Sequence, residues 1–197
     1  MSISAEQIKK IRELTGAGVL DAKKTLEQFN GDFEKALAVL KEKGLKSAEK
    51  KAERVAKQGL IETYLHGVGK IGVMVEVNCE TDFVAATNDF KELTHDIALQ
   101  IAATKPQFVS PEEIPAAKIE EMKKAFTDAA VADKKPANII EKIVTGKLEA
   151  FYKEACLLRQ PFIKDDTQTI YDRIQLAIAK LGENIVVKRF VRFELGE

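Results

Sequence analysis

The chain has 197 residues and a mass of 21.9 kDa, and its 31 Lys and Arg balance 31 Asp and Glu, so the formal net charge is zero. That balance argues against binding to nucleic acid by bulk charge and against an acidic solvating tail. With 45% hydrophobic residues and 31% charged, the composition excludes overall disorder and predicts a globular protein with a sizeable core. Residues 1–14 turn charged before any apolar run develops, and no stretch approaches the roughly 18 apolar residues of a spanning helix. A cytoplasmic protein with no membrane segment is therefore expected. Cys79 and Cys156, far apart in sequence, fit a reducing compartment better than a disulfide framework.

Ser4 with Gln7 makes a capping-box pattern, and Ile8, Ile11 and Leu14 follow at helical spacing until Gly16. A second helix is predicted from Val19, Ala22, Leu26 and Phe29, closed by Asn30-Gly31. A third is capped by Asp32, carries Phe33, Ala36, Leu37 and Leu40, and is expected to close at Gly44. Residues 1–44 thus form a three-helix bundle. Lys41 to Lys57 holds seven basic and three acidic residues with no Pro or Gly beyond Gly44, so 45–57 is expected to be a solvated, basic helical connector. The excess is local: residues 1–57 carry 13 basic and 9 acidic side chains, and 58–197 carry 18 and 22.

Beyond residue 58 the period becomes alternating. Leu60 to His66 is β-prone, and Ile71, Val73, Val75, Val77 and Cys79 share one face of a strand, which predicts a hairpin. A long helix follows with Phe90, Leu93, Ile97 and Ile101 on one face, ending at Lys105-Pro106. Ser110-Pro111-Glu112-Glu113 has the composition of a helix start, and further helices are signalled by Ile119, Met122 and Phe126, by Ile139 to Phe151, and by Ile170, Ile174, Ile178 and Leu181. Gly182 closes the last helix, and Ile185 to Leu195 is a final strand. The predicted fold class is α+β: an N-terminal bundle, a connector, and a core at 58–197 made of a small antiparallel sheet with packed helices.

Few motifs carry chemistry. Gly67-Val68-Gly69-Lys70-Ile71-Gly72 has the letters G-x-G-x-x-G, but a strand follows where a dinucleotide site needs a helix, so a hairpin turn is the better reading. His66 and His95 have no partners at metal-ligand spacing, the cysteines form no C-x-x-C, and no nucleophile elbow or P-loop is present. Asp165-Asp166 is expected in a loop or helix cap. No catalytic residue, metal site or cofactor is therefore predicted, and the chain is not expected to be an enzyme. One segment stands apart, Asn78-Cys79-Glu80-Thr81-Asp82-Phe83-Val84-Ala85, where a strand ends before a helix begins. Thr81 or Asp82 can cap a turn there, while Phe83-Val84 either folds back as core or presents an exposed binding wedge.

The strings Thr15-Gly16-Ala17-Gly18 with Asp21-Ala22-Lys23-Lys24, Glu76 to Ala85, Leu158-Arg159-Gln160-Pro161-Phe162 and Gly182-Glu183-Asn184-Ile185 resemble bacterial translation elongation factor Ts in order and spacing. The resemblance implies a guanine nucleotide exchange factor for elongation factor Tu that binds the GDP-bound and nucleotide-free forms of that GTPase. It implies a ubiquitin-associated-like N-terminal module docking through Arg12, Val19, Leu20 and Lys23; many members have two methionines where this chain has Val19-Leu20. It further implies that Thr81, Asp82, Phe83 and Val84 intrude beside the partner's Mg²⁺ site; His66 either matches a histidine that contacts the partner in longer members or is simply a residue at the end of the hairpin. Ala86 stands where relatives often carry a basic residue. The chain has room for one core subdomain, as in short forms that pair as homodimers through their strands. Two other readings compete: a non-catalytic adaptor, and an RNA-binding protein using the basic connector. The latter is weak, because no aromatic residue interleaves Lys41 to Lys57 for stacking on bases.

Overall fold

The first three helices form where local signals predict them, in a computed structural model that describes residues 3–197. α1 (Ala5–Thr15) opens on a complete capping box: the Gln7 N–H donates to the Ser4 hydroxyl at 3.1 Å, and the Ser4 N–H donates to the Gln7 side chain at 3.0 Å. It closes on Gly16 at φ 68°. α2 (Val19–Gln28) is followed by Asn30 and Gly31, and α3 (Phe33–Glu49) starts on the Asp32 cap. Ile11, Ala22, Leu26, Ala36 and Leu40 meet in a small core of their own.

The period change at residue 58 produces the hairpin of β1 (Gln58–His66) and β2 (Ile71–Cys79), which pairs Gln58 with Cys79 and His66 with Ile71. Residues 67–70 are its turn, so the glycine string is a strand-to-strand connection. The single turn α4 (Asp82–Ala85) leads to α5 (Asn88–Thr104), whose Phe90, Leu93, Ile97 and Ile101 are all buried. Ser110 to Glu113 makes only one 3-10 turn, because Pro115 holds Ile114 extended at ψ 126°, and α6 (Ala116–Ala132) begins after that proline. α7 (Ala137–Ala155) packs against α6. A short hairpin, β3 (Pro161–Phe162) with β4 (Asp165–Thr169), precedes α8 (Ile170–Leu181) and β5 (Val186–Glu194). Asp165 does not cap α8. Its carboxylate accepts the Thr167 N–H and hydroxyl at 3.2 and 2.6 Å, while Thr169 is the N-cap and Asp172 completes the capping box.

β5 lies beside β2, giving an antiparallel sheet of order β1-β2-β5. Helices cover one face only. Val73, Val75, Val77 and Cys79 are buried in one cluster with α5 and α8, as alternation predicts, and α+β is the observed class. On the other face the register places Leu65, Gly72 and Phe193 in one row and Thr63, Met74 and Val191 in the next. Leu65 and Phe193 are largely exposed.

The expected helix end at Gly44 is corrected: α3 continues to Glu49 because residue 44 is where it crosses α8. A Cβ there would lie 3.1 Å from the Ala179 Cβ, so the glycine permits close approach rather than stopping the helix. The stretch 45–57 is accordingly helical only to Glu49, with turns and a bend from Lys50 to Arg54 and irregular chain from there to β1. Ala48 is buried against the core rather than solvated.

Candidate functional site

Thr81 to Val84 begin two residues after Cys79, where β2 can no longer pair because β1 starts opposite Cys79. The chain turns at once into α4. Thr81 is extended at φ −127° and caps it, its Oγ1 accepting the Val84 N–H at 3.3 Å. Thr87 then caps α5 by accepting the Phe90 N–H at 3.2 Å. Two caps six residues apart leave α4 only one turn, and that turn fixes which side chains face inward. Ala85 is buried and Val84 packs against the core, while Asp82 and Phe83 point outward. Phe83 is 81% exposed, so of the two possibilities open in the sequence the structure takes the projecting one.

The base of the turn is held from the opposite end of the chain. One oxygen of Glu183, Oε2, accepts the N–H groups of Glu80 and Thr81 at 3.1 and 3.0 Å; the other accepts the Thr81 hydroxyl at 2.6 Å. The Asn184 N–H donates to Glu80 Oε1 at 2.7 Å. Its side-chain amide donates to the carbonyls of Ala52 and Arg54 at 3.2 and 2.7 Å, and the Arg54 guanidinium lies 3.6 Å from Glu80. Glu183 and Asn184 are absent from the candidates drawn from the sequence. Their sequence signals are a position just after the helix-closing Gly182 and membership of the family string Gly182 to Ile185; neither names the residues they hold, which lie more than a hundred positions earlier.

Beneath the turn, Cys79 is fully buried and its thiol donates to the Thr81 carbonyl at 3.1 Å. Burial, reinforced by the Glu183 carboxylate, raises its pKa above the ordinary thiol value, so it is a proton-bearing donor rather than a nucleophile.

The remaining candidates are dispersed. Val19, 50% exposed, and Leu20, 71% exposed, stand on the first turn of α2 with Lys23 one turn on, paired to Glu27 at 3.8 Å. Arg12, exposed in the last turn of α1, donates from Nε to the Ala17 carbonyl at 3.3 Å and so braces the α1–α2 loop beside them. Those four residues share one end of the bundle. His66 is not near Phe83: it ends β1 at the turn of the hairpin, eight residue steps from the end at which α4 begins, a span of roughly 26 Å at about 3.3 Å per step. There its ring stacks on Tyr64 with centroids 6.0 Å apart, and Nδ1 lies 3.1 Å from the Tyr64 hydroxyl.

This is a protruding site, not a cleft. Two surface cavities of about 500 Å³, one beside Tyr152, Arg159 and Tyr171 and one beside Ile140, Val144 and Leu148, include none of the turn's residues. Among the described residues no three His, Cys, Asp or Glu side chains gather as metal ligands, and no helix is long and apolar enough to cross a membrane. An exposed aromatic ring on a fixed turn is suited to anchor a contact with a partner surface.

Comparison with known proteins agrees across the full length. The family model described as Elongation factor TS matches residues 2–197. The chain is 58% identical over 197 residues to Elongation factor Ts of Coprothermobacter proteolyticus and 55% identical over 197 residues to that of Fervidobacterium nodosum, covering 100% of both chains in each pair. Against Elongation factor Ts of Carboxydothermus hydrogenoformans it is 53% identical over 195 residues, 99% of this chain and 90% of the other.

Proposed function

Because the chain belongs to the elongation factor Ts family, we propose that it is the guanine nucleotide exchange factor for elongation factor Tu in translation elongation. It makes and breaks no covalent bond in this reading and needs no cofactor. It binds the GDP form of the GTPase, promotes GDP release, and holds the nucleotide-free form until GTP enters. These events belong to the cytoplasm.

The observation that carries the mechanism is the exposure of Phe83 on a turn whose backbone is fixed at both ends. Phe83 enters the GTPase beside its Mg²⁺ site, with Thr81, Asp82 and Val84 shaping the insertion. If the occupied form is one in which Mg²⁺ and phosphate contacts are distorted, linkage requires nucleotide affinity to fall by the factor by which nucleotide weakens binding of the exchange factor. Loss of Mg²⁺ uncovers phosphate charge and speeds departure. Burial of one phenyl ring is worth about 1.5–3 kcal/mol, roughly tenfold to hundredfold, so other contacts must contribute. Arg12, Val19, Leu20 and Lys23 supply a second docking point on the bundle. His66, at the far end of the hairpin, meets a separate part of the partner.

A homodimer belongs to the same reading. The sheet is covered by helices on one side, and its bare side carries Ile61, Leu65, Met74, Val191 and Phe193 across three strands; a second copy would cover that face symmetrically. RNA binding through the basic stretch is the weaker reading, because no aromatic residue lies between residues 41 and 57 to stack on bases.

The test is release of fluorescent GDP from elongation factor Tu. The unmodified chain is expected to accelerate it, and Phe83→Ala to lose roughly tenfold or more of that acceleration while folding normally. No acceleration by the unmodified chain would refute the function, and full acceleration by Phe83→Ala would refute the insertion mechanism.

A further inference from the structure

Glu183 and Asn184 are more heavily engaged than a helix-to-strand connection requires. A four-residue link between α8 and β5 needs no hydrogen bonds to segments a hundred or more residues away, yet this one makes six, five of them through the Glu183 and Asn184 side chains. The three bonds accepted by Glu183 converge on the two residues that aim α4, from the N–H groups of Glu80 and Thr81 and the Thr81 hydroxyl, and they are charge-assisted, which makes them about twice as strong as neutral ones. The Asn184 bonds end on Ala52 and Arg54, in the segment that joins the helical bundle to β1. Asn184 is 3% exposed, so if its amide lost those carbonyls it would be left buried and unpaired.

We propose that Glu183 and Asn184 form a latch that positions the exchange turn, Glu183 fixing its backbone and Asn184 fixing the bundle's connector to the same point. The inference rests on Thr81 to Val84 being the exchange turn. Neither residue touches the partner; both act through others. Preorganisation is the physical reason for such a latch. A four-residue helix has no intrinsic stability, and an exposed ring on a mobile turn would spend part of its insertion energy on ordering the chain. Glu80 links the two halves, since its carboxylate receives the Asn184 N–H and lies beside Arg54 while its own N–H is held by Glu183.

The test uses the full chain, elongation factor Tu loaded with fluorescent GDP, and hydrogen exchange followed by mass spectrometry. Glu183→Ala is expected to deprotect residues 80–86 selectively and to slow maximal GDP release about tenfold to hundredfold, the worth of one or two charge-assisted hydrogen bonds, with a smaller change in the concentration giving half-maximal effect. Glu183→Gln, which keeps an oxygen for the two amides, is expected to recover much of that loss. In a Phe83→Ala background Glu183→Ala should have little further effect, because both act through one ring. Asn184→Ala should deprotect residues 50–57 and raise the half-maximal concentration.

Normal release by Glu183→Ala, with Phe83→Ala impaired, overturns the latch and leaves the exchange turn standing. Full activity of Phe83→Ala overturns the turn itself. Additive effects in the double variant, or loss of protection throughout the core in both Glu183 variants, also overturn the latch, since Glu183 would then be a general determinant of the fold.

Discussion

Gly16 is a second point, beside the α3–α8 crossing at Gly44, at which the bundle rests on the core, and replacing it separates two costs that are ordinarily confounded. The residue lies at φ 68°, and a Cβ built on it falls 2.3 Å from Lys180 Cα and 2.8 Å from Lys180 N. Those are backbone atoms in the last turn of α8, tied to its packing on the core, so they cannot step aside as a flexible side chain would. Gly31, at φ 83°, has nothing within 4 Å of the same added atom. Gly31→Ala therefore measures the conformational cost alone, about 1 kcal/mol for an L residue held left-handed. Gly16→Ala adds forced overpacking, about 1–3 kcal/mol, for a total near 2–4 kcal/mol. The bundle and the sheet have separate apolar clusters, so relief comes from lifting the α1–α2 loop off α8 rather than from unfolding either cluster. Hydrogen exchange resolved by peptide is the assay: Gly16→Ala should expose the junction at residues 15–18 and 43–48 while the sheet keeps its protection. Gly31→Ala should do neither. Equal behaviour of the two variants would refute the docking contact.

Three further outcomes follow from the same geometry. Phe193→Asp places a charge on a ring that is 74% exposed, so it should leave the monomer folded by circular dichroism but shift sedimentation toward the monomer; an unchanged dimer would exclude this face as the interface. Cys156 is fully buried, and burial pushes its thiol up to about 11. A group whose folded pKa is raised contributes stability present below its unfolded value, lost as pH rises from about 9 to about 11, because the unfolded chain releases its proton first. Midpoints of denaturation should therefore fall across that alkaline window, and both thiols should resist a disulfide reagent at pH 8 until the chain is unfolded; rapid native labelling of Cys79 or Cys156 would contradict their burial.

Much of this molecule is legible locally. Ser4 and Gln7 can only cap a helix that begins at Ala5, because both bonds lie within three residues, and the alternation from Val73 to Cys79 assigns a buried face whatever the partner strands are. The segment around Phe83 stands out for the same kind of reason, a strand end without a helix start, and the family strings point to it independently. What a local pattern cannot carry is contact between distant parts. Gly44 resembles a stop signal and is a crossing point, because Ala179 decides its meaning. The β3–β4 hairpin has no signature of its own and is held by Gln100, which accepts the Ile163 N–H at 2.9 Å and donates to the Pro161 carbonyl at 3.1 Å from α5.

The candidate site divides in the same way. The sequence by itself determined the candidate segment, since Thr81 to Val84 are contiguous and the cap at Thr81 is a local bond. Only the tertiary structure decided that Phe83 faces outward, that His66 stands at the other end of the hairpin, and that Glu183 and Asn184 belong to the turn's support. The physical reason is common to all three. Exposure, separation and hydrogen bonding across a hundred residues depend on how elements pack, and the order of residues along a chain encodes packing only through the whole set of contacts at once.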